Sequence, residues 1–144
     1  MVTSQNGIDL IKRFEGLVLT AYSDPATGGE PWTIGYGHIE DVKPGDKISE
    51  QEAEEFLKDD LKQFESEVSS LVNVSINQNQ FDALVSFAFN LGSNALKGST
   101  LLKRLNEGNF RAAAGQFTRW VYANNKFMKG LYNRRRAERD LFIS

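Results

Sequence analysis

Two carboxyl groups near the N-terminus stand in unlike settings. Glu15 ends an amphipathic stretch, with Phe14 before it and Gly16 and Leu17 after it. At such an apolar junction a carboxyl loses hydration, which favours the protonated form that a general acid requires. Asp24 opens the turn-rich run Asp24-Pro-Ala-Thr-Gly-Gly29, where a carboxylate stays solvated and ionised. One protonated and one ionised carboxyl form the pair that glycosidic bond cleavage uses. The chain has 19 acidic residues, so the pair is not specific by itself. A third feature follows in Trp32-Thr-Ile-Gly-Tyr-Gly-His38. Alternation along this short strand puts Trp32, Ile34 and Tyr36 on one buried face, and the two glycines let the backbone approach a neighbouring group closely. His38 is the only histidine, and the chain has no cysteine. A metal ligand needs companions of those types, so no metal and no cofactor are expected.

The elements that must position these residues read as α+β. Ile8, Ile11 and Phe14 have helical spacing over residues 4–14. All three prolines and many glycines fall in residues 16–48, where Leu17–Tyr22 and Trp32–Tyr36 read as a small antiparallel sheet. Ser49-Glu-Gln-Glu52 has the form of a capping box. It opens a long helix with Ala53, Phe56, Leu57, Leu61, Phe64, Val68 and Leu71 on its apolar stripe. Asp60 falls on that stripe, one turn after Phe56 and one turn before Phe64, and a carboxylate there needs a partner. The helix near 78–91 is apolar almost all round, which predicts the buried centre of the fold, and Gly92 is its stop. Further helices are predicted at about 99–107, 109–118 and 130–142, the last with Arg134/Glu138 and Arg136/Asp140 at i,i+4 spacing. The expected architecture is a small sheet lobe and a larger helical lobe joined by a long helix, with an active-site cleft between the lobes.

Length and composition suit one soluble domain spanning residues 1–144. Asp9, Lys12 and Arg13 interrupt the N-terminal apolar residues, so neither a signal peptide nor an integral membrane segment is expected. The net charge of −2 conceals an asymmetry: residues 97–144 carry +8 and residues 1–96 carry −10. A basic half suggests an anionic polymer as partner, either nucleic acid or the acidic polymers of a cell wall.

Glu15-Gly, Tyr22-x-Asp24 and Thr33-Ile-Gly-Tyr-Gly-His38, in this order, resemble the Glu/Asp/Thr signature of phage-type lysozymes, the endolysin family of glycoside hydrolases found in lambdoid and T-even phages. Asn79–Gly92 resembles that family's central helix. Ser99-Thr-Leu-Leu, Trp120 and Gly130-Leu-Tyr-Asn-Arg-Arg-Arg-Ala-Glu138 resemble its C-terminal elements. The resemblance implies a lysozyme-like fold and cleavage between N-acetylmuramic acid and N-acetylglucosamine. Glu15 is then the general acid, Asp24 the base or electrostatic stabiliser, and Thr33 holds the attacking water. An inverting reaction of that kind places the carboxyls roughly 6.5–9.5 Å apart. The family also implies that His38 pairs with Asp60, that Arg134 approaches the catalytic glutamate, and that Phe89 and Gln116 face the saccharide. One departure stands out. Eight residues separate Asp24 from Thr33 where the family commonly has five, and the excess in Ala26–Pro31 makes Glu30 an alternative carboxylate.

The partner expected from this resemblance is peptidoglycan, with no nucleic acid, and the protein is expected to be a monomer. It is also expected to collect in the host bacterial cytoplasm and to reach the wall through a holin-type lesion. A non-catalytic wall-binding module would not need a desolvated acid. Nucleic-acid binding would account for the basic half but not for the N-terminal motif. A lytic transglycosylase would not need Asp24 and Thr33 to direct water.

Overall fold

In the computed structural model, which describes residues 1–144, the chain divides into two compact units. One comprises Ile11–Lys62 and the other Met1–Leu10 with Gln63–Ser144. Helices α1 (Gln5–Glu15) and α2 (Glu50–Leu71) contribute residues to both.

The smaller unit is organised by two strands, β1 (Val18–Tyr22) and β2 (Thr33–Gly35), paired antiparallel with Val18 opposite Gly35 and Tyr22 opposite Thr33. Five residues of β1 thus span three of β2, and the surplus is taken up by an irregularity between Val18 and Tyr22. The other edge of β1 is covered by residues 46–48, through Ala21 N–H to Asp46 C=O at 2.9 Å and Ile48 N–H to Leu19 C=O at 3.0 Å. Ile11, Ile34, Tyr36, Ala53, Leu57 and Leu61 are buried. The capping box of α2 forms as the sequence predicts: Ser49 Oγ accepts from Glu52 N–H at 3.1 Å, and Glu52 Oε1 accepts from Ser49 N–H at 3.0 Å.

The larger unit centres on α3 (Gln78–Leu91), eight of whose residues are buried, as expected of a helix with almost no polar face. Asn77 and Gln80 close a second capping box at its start, and Gly92 ends it at φ 92°. Around it stand α4 (Ser93–Lys97), α5 (Thr100–Asn106), α6 (Phe110–Gln116) and α7 (Lys129–Ile143), with a single 3₁₀ turn at Phe117–Arg119. Helix α7 packs along α3, and α5 packs on α6. Phe87 of α3 meets Phe117 and Trp120 edge to face at 5.8 and 5.5 Å. Two elements go beyond the sequence reading: the short α4, and a hairpin of β3 (Tyr122–Ala123) and β4 (Lys126–Phe127) turned by Asn124 and Asn125, both at positive φ. No helix is long and apolar enough to cross a membrane.

The charges of α7 depart from the simple i,i+4 reading. Arg136 lies over the Tyr132 ring at 5.6 Å, and Asp140 pairs with Arg139, so the Arg136/Asp140 bridge does not form. Arg134 does pair with Glu138, at 3.3 Å, but both are buried, with relative exposures of 3 % and 0 %. Arg135, also 0 % exposed, brings Nε to 2.8 Å from Glu138 Oε1, and its Nη2 donates to Asn90 Oδ1 at 2.7 Å. Ser86 Oγ completes the cluster, donating to Glu138 Oε2 at 2.6 Å. Burial pushes the Glu138 carboxyl above its ordinary value of 4.5, against the pull of both guanidiniums and the Ser86 hydroxyl.

Two outcomes follow for stability. Gly7 lies inside α1, where alanine ordinarily stabilises a helix by about 0.5–1 kcal/mol. Here an added Cβ would sit 2.6 Å from Thr3 Cγ2 and 2.8 Å from Asp82 Cβ, so Gly7→Ala is expected to destabilise instead, by about 1–3 kcal/mol in urea unfolding. Arg135→Leu removes the cation that most strongly holds Glu138 ionised and is expected to cost about 3–5 kcal/mol at neutral pH. A carboxyl with a raised folded value contributes stability fully below its unfolded value and loses it as pH rises through the folded value. The cost of Arg135→Leu should therefore shrink as pH falls to the ordinary value of 4.5 and below, where Glu138 is protonated. Urea titrations of both chains across that range check the sign.

Candidate active site

The Thr33–His38 motif folds back on itself. Ile34 and His38 exchange two backbone hydrogen bonds, each 2.9 Å, around a reversal made by Gly35, Tyr36 and Gly37. Gly35 and Gly37 have φ of 66° and 88°, values that side chains with a Cβ rarely adopt. At Gly35 space is also short, since an added Cβ would lie 3.4 Å from Ala53 Cβ of α2. Ile34 and Tyr36 are buried as the alternation predicts, whereas Trp32 is only half-buried.

Glu15 is the last residue of α1 and is half-buried. A Cβ built on Gly37 would stand 3.7 Å from Glu15 Oε1, so the carboxyl is near the reversal. Lys12, one turn earlier on α1, pairs with Glu54 of α2 and lies 5.6 Å from the Tyr36 ring centroid. These contacts hold the end of α1 to both the reversal and α2.

His38 is 8 % exposed, and its Nδ1 lies 2.9 and 3.0 Å from the two carboxylate oxygens of Asp60. Asp60 accepts, so Nδ1 carries the hydrogen. The imidazole stacks on Phe56 with centroids 4.3 Å apart and planes 11° from parallel. Sequence reasoning placed Phe56 on the apolar stripe but missed this stacking. Its signal was the i,i+4 spacing of Phe56 and Asp60, which sets a flat apolar ring and an acceptor on one helix face.

Asp24 is half-buried at the start of a turn that closes on itself. Its carbonyl accepts from Thr27 and Gly28 at 3.2 and 2.7 Å, its N–H donates to Gly29 C=O at 2.9 Å, and Oδ1 accepts from Ala26 N–H at 3.2 Å. Glu30 is exposed and precedes a cis peptide bond to Pro31. Thr33, half-buried, opens β2 opposite Tyr22.

Glu15, Asp24, Thr33, His38 and Asp60 therefore all belong to the smaller unit, while Phe89, Gln116 and Arg134 belong to the larger. Phe89 meets Phe64 edge to face at 5.4 Å, Gln116 ends α6 half-exposed, and Arg134 lies in the buried Glu138 cluster.

The family model described as phage lysozyme matches residues 12–138. An endolysin of Bacillus phage B103 is 50 % identical over 100 % of this chain, which spans only 55 % of that relative's length. An endolysin of Salmonella phage P22 is 47 % identical, with 100 % of this chain and 99 % of the relative covered. Among solved structures, the muramidase domain of SpmX from Asticaccaulis excentricus superposes with a TM-score of 0.90 at 39 % identity, covering 98 % of this chain and 97 % of that one. With the family model matching most of its length, the chain belongs to the phage lysozyme family.

Proposed function

We propose that this protein is a peptidoglycan hydrolase, a muramidase that cleaves the β-1,4 bond between N-acetylmuramic acid and N-acetylglucosamine, with residues 1–144 as one catalytic domain. The observation that supports this reading is the nearness of the Glu15 carboxyl to Gly37, where an added Cβ would stand 3.7 Å from Oε1, which puts the helix-end acid beside the Thr33–His38 motif. Glu15 donates a proton to the leaving glycosidic oxygen, a role favoured by its half-buried place at the end of α1. Asp24, at the start of its self-closed turn, acts as base or electrostatic stabiliser, and the Thr33 hydroxyl holds the attacking water. His38 and Asp60 are positioning residues: their bond and the Phe56 stacking fix the end of the reversal that passes near Glu15. Phe89, Gln116 and Arg134 are assigned to binding or supporting the saccharide. The protein acts as a monomer on peptidoglycan, without nucleic acid, after leaving the host cytoplasm through a holin-type lesion.

Digestion of purified peptidoglycan tests the chemistry. Reducing N-acetylmuramic ends are expected, 1,6-anhydro ends would identify a transglycosylase, and an uncut glycan would identify a wall-binding module. Glu15→Gln, folded by its amide spectrum, should lose about 10²–10⁴-fold in turnover, and near-normal activity would remove it as the acid. Asp24→Asn is expected to lose about 10²-fold or more while Glu30→Gln stays close to the parent. The reverse ranking in the same assay would give the base role to Glu30.

A further inference from the structure

Residues 122–130, which form the β3–β4 hairpin and lead into α7, are exposed without a break. Three of them are large and apolar: Tyr122, Phe127 and Met128 are 64 %, 55 % and 45 % exposed. Single apolar side chains at a surface are ordinary, whereas these belong to a connected group. The Tyr122 ring meets that of Phe127 across the hairpin at 6.2 Å, and Phe127 meets Tyr132 of α7 at 5.8 Å.

The polar side chains of the same surface have one sign. Lys126 lies beside Phe127 in β4, Lys129 opens α7, and Arg136 lies over the Tyr132 ring. None of these three cations is in an ion pair. The sequence supplies no neighbour to pair with them, since it has no aspartate or glutamate between Glu107 and Glu138. Helix stability does not account for Lys129 either, because the backbone dipole disfavours a cation at the start of a helix. An apolar group ringed by unneutralised cations calls for a partner that is both apolar and anionic.

The geometry separates the candidates. A second copy of the chain would set these cations against their own kind. Successive bases or sugar rings stack on aromatic faces that share an orientation, and here adjacent rings are inclined by 76° and 48°. A lipid surface sets no such condition: it takes apolar side chains in any orientation at the headgroup boundary, while anionic headgroups answer the cations.

We propose that the β3–β4 hairpin and the first two turns of α7 dock on an anionic lipid surface. Tyr122, Phe127 and Met128 enter the boundary between headgroups and acyl chains, and Lys126, Lys129 and Arg136 face the lipid phosphates. The protein lies on one leaflet, with no helix crossing the bilayer. The inference is independent of the chemistry assigned to Glu15.

Flotation with vesicles tests it. The protein is expected to rise with vesicles of phosphatidylglycerol and phosphatidylcholine in equal parts, and to stay behind with phosphatidylcholine alone. Lys126→Gln/Lys129→Gln should weaken binding to the mixed vesicles about tenfold or more, and added salt should weaken the parent more steeply than this variant. Phe127→Thr/Met128→Ser should also weaken it about tenfold, through lost apolar area. Amide spectra check that both variants fold, and Met128→Ser alone serves if the pair disturbs the hairpin. Equal binding to the two kinds of vesicle, or full binding by the apolar variant, would overturn the proposal. So would failure to float combined with tight binding of duplex DNA or poly(glycerol phosphate), which would give the hairpin to a phosphate polymer.

Discussion

The reversal at Gly35–Gly37 is the constraint on which the candidate site depends. Only a residue without a Cβ takes φ of 66° and 88° cheaply, and two such residues within three positions turn β2 back on itself. The turn has three consequences at once. It pairs His38 with Ile34, it carries the imidazole to Phe56 and Asp60, and it brings Gly37 near the Glu15 carboxyl. Any side chain at Gly37 would strain the backbone before it displaced the acid. The chemistry assigned to Glu15 is thus anchored by main-chain geometry rather than by side-chain packing alone.

The sequence was informative wherever a pattern ran long enough to average over local accidents. The 3.6-residue periodicity located α1, α2, α3 and α7, and the Ser49 capping box marked the start of α2. Gly92 marked the end of α3. Helix α4, at five residues, is too short for any periodicity to register, and two-residue strands leave none. The Asn124-Asn125 pair was the one local sign of the second hairpin, since asparagine tolerates the left-handed region better than most residues. At the site, residue types and their order pointed to Glu15, Asp24 and Thr33. The stacking of His38 on Phe56 required knowing where the reversal ends.

Arg134-Arg135-Arg136 shows a different limit. Three consecutive cations read as a solvated face, yet two of them are buried with Glu138 and only Arg136 turns outward to Tyr132. A carboxylate shared between two guanidiniums loses its water: Ser86 Oγ donates to Glu138 Oε2 and Asn90 Oδ1 accepts from Arg135, while Glu138 Oε1 and Arg135 Nε and Nη1 are held by charge without a hydrogen bond. Such a cluster adds little net stability compared with an apolar filling. It does tie α7 to α3, through Ser86 and Asn90.

The loop that begins at Asp24 closes on itself: the carbonyl and carboxylate of Asp24 and the carbonyl of Gly29 take up its hydrogen bonds within seven residues, and Thr27 Oγ1 donates to Glu30 C=O at 2.8 Å. A segment that is its own scaffold makes few demands on what surrounds it. Residues can be gained or lost at its tip while the strand beyond keeps its pairing with Tyr22 and the aspartate keeps its place at the start of the turn. Length in this connection is therefore an evolutionary degree of freedom. Lineages of this family can alter the length of the loop without rebuilding the strand that follows it.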